Sequence, residues 1–494
     1  MPQISLERVK SFSKNYSMIP VWEKISSVNH TPVETFKILK NLSRQCYILE
    51  SLEDTAKHGR YTFLGYDPKM EISCVNGSLT IKNGAQINIT TANPSQQIKQ
   101  ILADNKSPII AELPPFSGGL VGYFSYDYIK YSEPTLNLNA DDQENFKDVD
   151  LMMFDKVIAY DHLEEKIILI INIKSTAAEE NYNRAVSELN YMQNLIETGT
   201  PAAMKPLKIS SDFRPLFDEE AYCQMVEKAK HHITEGDIFQ VVLSNRLEAD
   251  IEGSLFDTYR ILREKNPSPY MFYFSSDDIE IAGAAPETLV KLSGTTLSTF
   301  PLAGTRPRGK TPVEDNALET ELLADPKELS EHNMLVDLGR NDIGKISKFD
   351  SVAVEKYMSI LRFSHVMHIG STVTGTIRDD KNALDAIEAL LPAGTLSGAP
   401  KIRACQIINE LENNKRGIYG GAIGYIGFSG AMDTCIAIRI AFKKNNKVFV
   451  RSGAGIVADS IPKNEFLECR NKMQAVINAL EESAAGGYKN DFTN

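Results

Sequence analysis

The chain has few cysteines, no long apolar run and no excess of positive charge, and each shortage removes a class of function. Six cysteines in 494 residues form no CxxC pair and no dense framework. That excludes a disulfide scaffold and predicts reduced thiols in a cytoplasmic protein. No run of 18 apolar residues occurs, and the opening MPQISLERVKSFSKNYS lacks the apolar centre of a signal peptide, so neither a membrane span nor secretion is expected. The formal net charge is −12 at pH 7. Nucleic acid and anionic membranes attract basic surfaces, so neither is expected as a partner, although one cleft can still hold a small anion. No nucleotide loop is expected, which removes the main support for ATP or NAD.

The content is that of a folded protein, with 42% apolar and 24% charged residues. Residues 1–200 carry short β-rich runs (CYILES, YTFLGYD, MEISCVN, SLTIKNG) between Gly, Asn and Asp turn signals. KVIAYDHLEEKIILIINI predicts a hairpin, and NYNRAVSELNYMQNLIET a helix, with Val186, Leu189, Met192 and Leu195/Ile196 at helical spacing. Residues 201–214 read as a linker to a larger unit, 215–494. There a helix ends at Gly236, a strand runs from about Ile238 to Leu247, and TCIAIRIAF pairs with KVFVRSGAGIV across KKNN. The expected fold class is α+β, with large, mostly antiparallel β-sheets sandwiched with helices.

Acidic residues on two helices are the first chemical signal. In DPKELSEHNMLVDL, Asp325 and Pro326 start a helix. Glu328, at the third position, has two readings, a capping box or a metal ligand. Glu331 lies on the same side, one turn before an apolar Met334/Leu335 stripe; alone it reads as a solvated residue. In IPKNEFLECRNKMQAVINAL the stripe is Phe466, Cys469, Met473, Val476 and Leu480, with Glu465, Glu468 and Lys472 along its border. Carboxylates offered from two helix edges suit Mg²⁺. His365 and His368 sit three apart on a predicted strand and point to opposite faces, so at most one enters a site. Three glycine-rich turns are expected at 301–310, 392–401 and 451–457. Arg306, Arg308, Lys401, Arg439 and Arg451 lie in or beside these segments and suggest a carboxylate-bearing ligand.

The ordered segments GDIFQVVLSNR, APETLV, PLAGTRPRG, ELSEHNMLVDLGRND, FSHVMHIGSTV, PAGTLSGAPK, YGGAIGY, DTCIAIR, RSGAGIV and EFLECRNK resemble the chorismate-utilising enzymes, and among them the anthranilate synthase large subunits. The likeness spans residues 215–494 and, more weakly, ILES at 48–51. It implies that chorismate and ammonia yield anthranilate and pyruvate with Mg²⁺. It also implies roles. Glu331 and Glu468 would hold the metal, with Glu328 close by. Glu287 would be the general acid, although its segment reads APE where the family usually has SPE. His368 would serve the later loss of pyruvate, and His365 would be structural. Tyr419, Arg439 and the Gly453–Ala454–Gly455 backbone would grip a carboxylate, with Gly304, Thr305, Thr395 and Lys472 as further contacts.

Two positions separate the chain from relatives by chemistry. Water-adding relatives place a lysine base where this chain has Gln240, and a neutral amide cannot deprotonate water. Some aminodeoxychorismate synthases carry a nucleophilic lysine where this chain has Ala303. ILES and NPSPYMFY (266–273) resemble a tryptophan-binding regulatory site of Leu49, Glu50, Ser51, Pro269, Tyr270 and Met271, with Cys435 nearby. None of the six cysteines sits in a glycine-flanked nucleophile turn, so use of glutamine requires a separate amidotransferase subunit, component II. The alternatives are component I of aminodeoxychorismate synthase and a non-catalytic tryptophan-binding regulator on the same fold.

Overall fold

The computed structural model describes residues 2–52, 59–362 and 366–486. Among them, strands form two sheets of 13 and 12 members, with antiparallel ladders throughout, and helices pack on the sheets. This is the α+β architecture expected from the sequence.

The short N-terminal runs are strands at Cys46–Glu50, Tyr61–Tyr66, Met70–Val75 and Ser78–Asn83. The expected hairpin joins Lys156–Asp161 to Lys166–Lys174. The predicted helix runs from Ala178 to Thr198, burying Ala185, Leu189, Met192 and Ile196. Both sheets take strands from each side of residues 201–214. Within that stretch Lys208–Ile209 adds to the edge of the strand Gln240–Glu252.

One apolar core draws on both sheets. Phe63 of the 13-stranded sheet stacks edge-on to Phe116 at 5.7 Å, and Phe116 lies 4.5 Å from Tyr425 of the other sheet. Aromatic rings of this size bury large apolar areas and prefer such tilted geometries.

Two places correct the strand reading. TCIAIRIAF is not one strand. Met432–Ile436 belongs to the 12-stranded sheet, Ile440–Lys444 to the other, and the chain changes sheets through Ala437–Arg439. Arg439 takes φ +52° there. The preceding pair does the same, since Glu280–Ala285 and Thr288–Ser293 lie in different sheets and Glu287 sits in the step. The two steps are stitched together, with Ile436 N–H donating to Glu287 O at 2.9 Å and Ala284 N–H to Arg439 O at 3.2 Å. A second correction concerns the strand after Gly236, which begins at Gln240 and runs to Glu252.

Candidate active site

Glu287 and Arg439 are neighbours because the two sheet changes occur side by side. Burial is the main force on the Glu287 carboxyl and pushes it up to about 7, against the Thr395 hydrogen bond and the charges of Arg439 and Lys472. Thr395 Oγ1 donates to Glu287 Oε1 at 3.2 Å. Arg439 has no ion-pair partner among the described residues; dense surroundings lower its pKa, and its main charged neighbour is Glu287. A bulky residue at positive φ, with an unpaired charge, marks a position kept for something other than packing.

His368 lies on the strand Val366–Thr376, opposite Thr305 of Leu302–Pro307. Its Nδ1 is 2.9 Å from Gly304 O and 3.0 Å from Thr305 Oγ1. A carbonyl only accepts, so the proton sits on Nδ1 and the basic lone pair on Nε2. Burial, with Arg439 nearby, lowers the imidazole pKa and keeps it neutral. Gly304 makes the arrangement possible, since it forms a bulge at φ +67° beside Glu328. His365 lies outside the described residues.

On the opposite wall, Lys472 donates to Gly453 O at 3.2 Å and pairs with Glu468 at 2.7 Å. A methyl group on Gly453 would come within 3.2 Å of the Tyr419 hydroxyl, and one on Gly455 within 2.6 Å of Gln240 Nε2. Ala454, between them, packs into the core and offers the cleft only backbone.

The carboxylates come together from two helices. Asp325 caps Pro326–Gly344 by accepting from the N–H groups of Lys327 and Glu328. The reciprocal bond of a capping box is not formed, because the Asp325 N–H donates to Leu322 O and Glu328 reaches Arg306 at 3.4 Å. The capping reading of Glu328 is therefore corrected. Glu331 opens to solvent at the mouth of the cleft, yet its dense surroundings, then Glu328 and Glu468, raise its pKa. Mutually repelling carboxylates are a donor set that a hard cation would relieve. Among the described residues no three acidic, histidine or cysteine side chains are close enough to enclose an ion; a pair of carboxylates suits only a cation such as Mg²⁺, which takes one or two of them and fills its shell with water and ligand oxygens.

The apolar stripe of this helix also differs from expectation. Met334 is only partly buried, and the buried positions are His332, Leu335, Val336, Asp342 and Ile343. On Pro462–Ala484 all five expected stripe residues are buried.

Only one of the three expected glycine turns is a turn. Residues 302–307 and 451–456 lie in strands, and residues 394–396 form the single short turn before the helix Lys401–Glu412. Four of the five candidate cations are engaged by carboxylates. Arg306 meets Glu321 and Asp325, Arg308 meets Asp315, Lys401 meets Asp342, and buried Arg451 meets Glu412. The expectation of no phosphate loop needs a correction as well, because residues 304–311, GTRPRGKT, satisfy the spacing GxxxxGK[ST]. The fold closes that possibility. Gly304 sits inside a strand, and Gly309 N–H and Lys310 N–H are taken by the carboxylates of Asp315 and Glu314, each at 2.8 Å.

A second cavity, of about 730 Å³, is lined by Leu49, Glu50, Ser51, Pro269, Tyr270 and Met271, with Cys435 and Tyr425. The six residues predicted for a regulatory site thus share one cavity. Glu50 differs in orientation. Leu49 stands opposite Phe272 and Glu50 opposite Met271, so their side chains leave the sheet on different faces. The Glu50 carboxylate accepts from Tyr259 and, at 2.6 Å, from Arg263 of Phe256–Lys265. Tyr270 ties the cavity to the sheet-change steps beside Glu287 through Thr288 at 2.7 Å and Asp433 at 2.8 Å. Sequence reasoning missed Thr288 and Asp433, which carry no motif.

A raised carboxyl, a guanidinium beside it, a neutral imidazole and carboxylates from two helices within electrostatic reach of one another are the chemistry of an enzyme. The chain belongs to the chorismate binding enzyme family, whose profile matches residues 44–478. It is 44% identical over 493 residues to anthranilate synthase component 1 of Acetivibrio thermocellus, covering 97% of this chain and 98% of that protein. It is 39% identical to aminodeoxychorismate synthase component 1 of Bacillus subtilis, covering 94% of this chain and 97% of the relative. The structure matches crystalline anthranilate synthase component I of Streptococcus pneumoniae TIGR4 with TM-score 0.73 and 40% identity, covering 86% of this chain and 93% of that one.

Proposed function

We propose that this chain is a cytoplasmic large subunit of anthranilate synthase, converting chorismate and ammonia to anthranilate, pyruvate and water in the first step of tryptophan biosynthesis. Glu287, a carboxyl still half protonated near neutral pH and facing an unpaired Arg439, is the observation that carries this reading.

Arg439, with Tyr419 and the Gly453–Gly455 backbone, binds the enolpyruvyl carboxylate and fixes the ring against Glu287. As the ammonia nitrogen bonds to the ring, the ring hydroxyl leaves as water with the Glu287 proton. The excess proton on nitrogen then returns the carboxylate to its acid form. His368 Nε2 accepts the ring proton whose removal makes the ring aromatic. The ring–oxygen bond breaks as that proton leaves, and the departing enolate becomes pyruvate when its methylene takes up the proton held by His368. Glu331 and Glu468, with Glu328 close by, would hold Mg²⁺, which supplies Lewis-acid polarisation of the ring carboxylate when bound.

Gln240 offers no base for water, and Ala303 offers no nucleophile to the ring. Ammonia comes from glutamine through a separate component II. Tryptophan inhibits by occupying the cavity beside Tyr270.

Purified chain with chorismate, Mg²⁺ and ammonium salt should produce anthranilate fluorescence that falls on adding tryptophan. The relative from Bacillus subtilis favours a second reading, aminodeoxychorismate synthesis. Chorismate consumed without fluorescence would select it, and no consumption would select the non-catalytic regulator.

A further inference from the structure

Helix Pro326–Gly344 carries Glu328 and Glu331 at its N-terminal end, yet the only buried side chain in that part of the helix is a histidine. His332 follows Glu331 directly and is fully enclosed, at 0% exposure. Its Nε2 lies 2.6 Å from Ser371 Oγ, on the same strand as His368. Ser371 Oγ also accepts from Met358 N–H at 3.0 Å. Met358 sits at φ +50°, within the irregular register of the neighbouring strand Ala353–Arg362. One hydroxyl therefore joins the helix, the strand of His368 and a strained bulge. The adjacent Asn333 bonds Tyr357 of that bulge. His332 Nδ1 has no partner among the described residues, so the contact with Ser371 is the ring's one polar tie. An apolar residue would bury as well at this position without that tie, and burying a polar ring costs free energy unless its bond is made.

We propose that His332 and Ser371 are positioning residues that set the Glu328 and Glu331 carboxylates for metal binding and hold them in register with His368. Because His332 adjoins Glu331 in the chain, rotation or translation of this helix end moves the carboxylates together, and the 2.6 Å bond to Ser371 resists both. Outer-shell partners bonded directly to metal ligands typically contribute about 10–100-fold to affinity, and a tie that acts through the helix end belongs at the lower end of that range.

The inference rests on the assignment of the metal carboxylates in the proposed function. The test is Mn²⁺ binding to the full chain, read by electron paramagnetic resonance without substrate, beside the melting temperature. Glu331→Gln first establishes that the bound Mn²⁺ uses these carboxylates. If it leaves binding unchanged, the metal assignment fails and the inference falls with it. If it abolishes binding, Ser371→Ala and His332→Leu should each weaken Mn²⁺ binding about tenfold or more in a folded protein. His332→Gln, which restores an amide at a similar reach, should recover most of the affinity. A purely structural pair would lower the melting temperature and leave Mn²⁺ affinity as in the wild type, and that result overturns the proposal. If His332→Leu fails to fold, Ser371→Ala, which removes a single atom, decides in the same way.

Discussion

Replacing Thr395 with valine removes one hydroxyl from the cleft and keeps nearly the same shape, so its effect on Glu287 can be worked out. Burial raises the Glu287 carboxyl to about 7, and the 3.2 Å bond from Thr395 opposes that rise by favouring the ionised form. A hydrogen bond to a charged group contributes about 1.5–3 kcal/mol, and a long one falls at the lower end. At 1.36 kcal/mol per unit, its loss lifts the pKa by about one unit. A general acid works protonated, so turnover falls as pH rises through its pKa. In Thr395→Val that alkaline limb should move from near 7 to about 8. The assay is kcat/KM for chorismate from anthranilate fluorescence, which reports the groups of the free enzyme, with saturating Mg²⁺ and a fixed concentration of free ammonia at each pH. Loss of substrate contacts would lower the plateau without moving the limb. A limb that stays in place or moves to lower pH refutes the argument.

The same carboxyl affects stability. Its folded pKa lies above the unfolded value, so the folded state binds more protons between about 4.5 and 7, and stability falls across that window. Glu287→Gln should therefore abolish turnover and raise stability at pH 8 by at most about 3 kcal/mol relative to wild type, with little gain below pH 4.5; urea unfolding at both pH values checks this. Arg439→Met should raise KM for chorismate about 100-fold, since a desolvated charge pair lost on one side costs roughly 2–5 kcal/mol, while melting changes little. Glu412→Leu should cost about 3–5 kcal/mol in denaturant unfolding, because Glu412 is the buried partner of both Arg416 and Arg451. Leu49→Trp should fill the cavity beside Phe272 and abolish inhibition by added tryptophan while uninhibited kcat is retained, which steady-state inhibition assays would show.

The sequence by itself determined the elements whose signals are local. The Asp325–Pro326 helix start, the Phe466-to-Leu480 stripe and the Lys156–Lys174 hairpin depend on residues within a few turns of one another, and periodicity reports them directly. Ordered motifs likewise fixed the family before any geometry was seen. Tertiary structure alone decided how these pieces meet. TCIAIRIAF reads as one strand because period-two alternation continues through Ile438 and Arg439. Each half pairs with a near neighbour, Ala422–Gly427 for the first and Lys447–Ile456 across the expected KKNN turn for the second, and also with a partner more than 100 residues away, in Thr288–Ser293 and Glu280–Ala285. That non-local choice turns Arg439 and Glu287 into neighbours, and it leaves Arg439 unpaired where carboxylates engage Arg306, Arg308, Lys401 and Arg451. His332 escaped the pattern for the same reason. A histidine counts as polar in a sequence, and only the hydroxyl of Ser371, 39 residues away, makes its burial affordable.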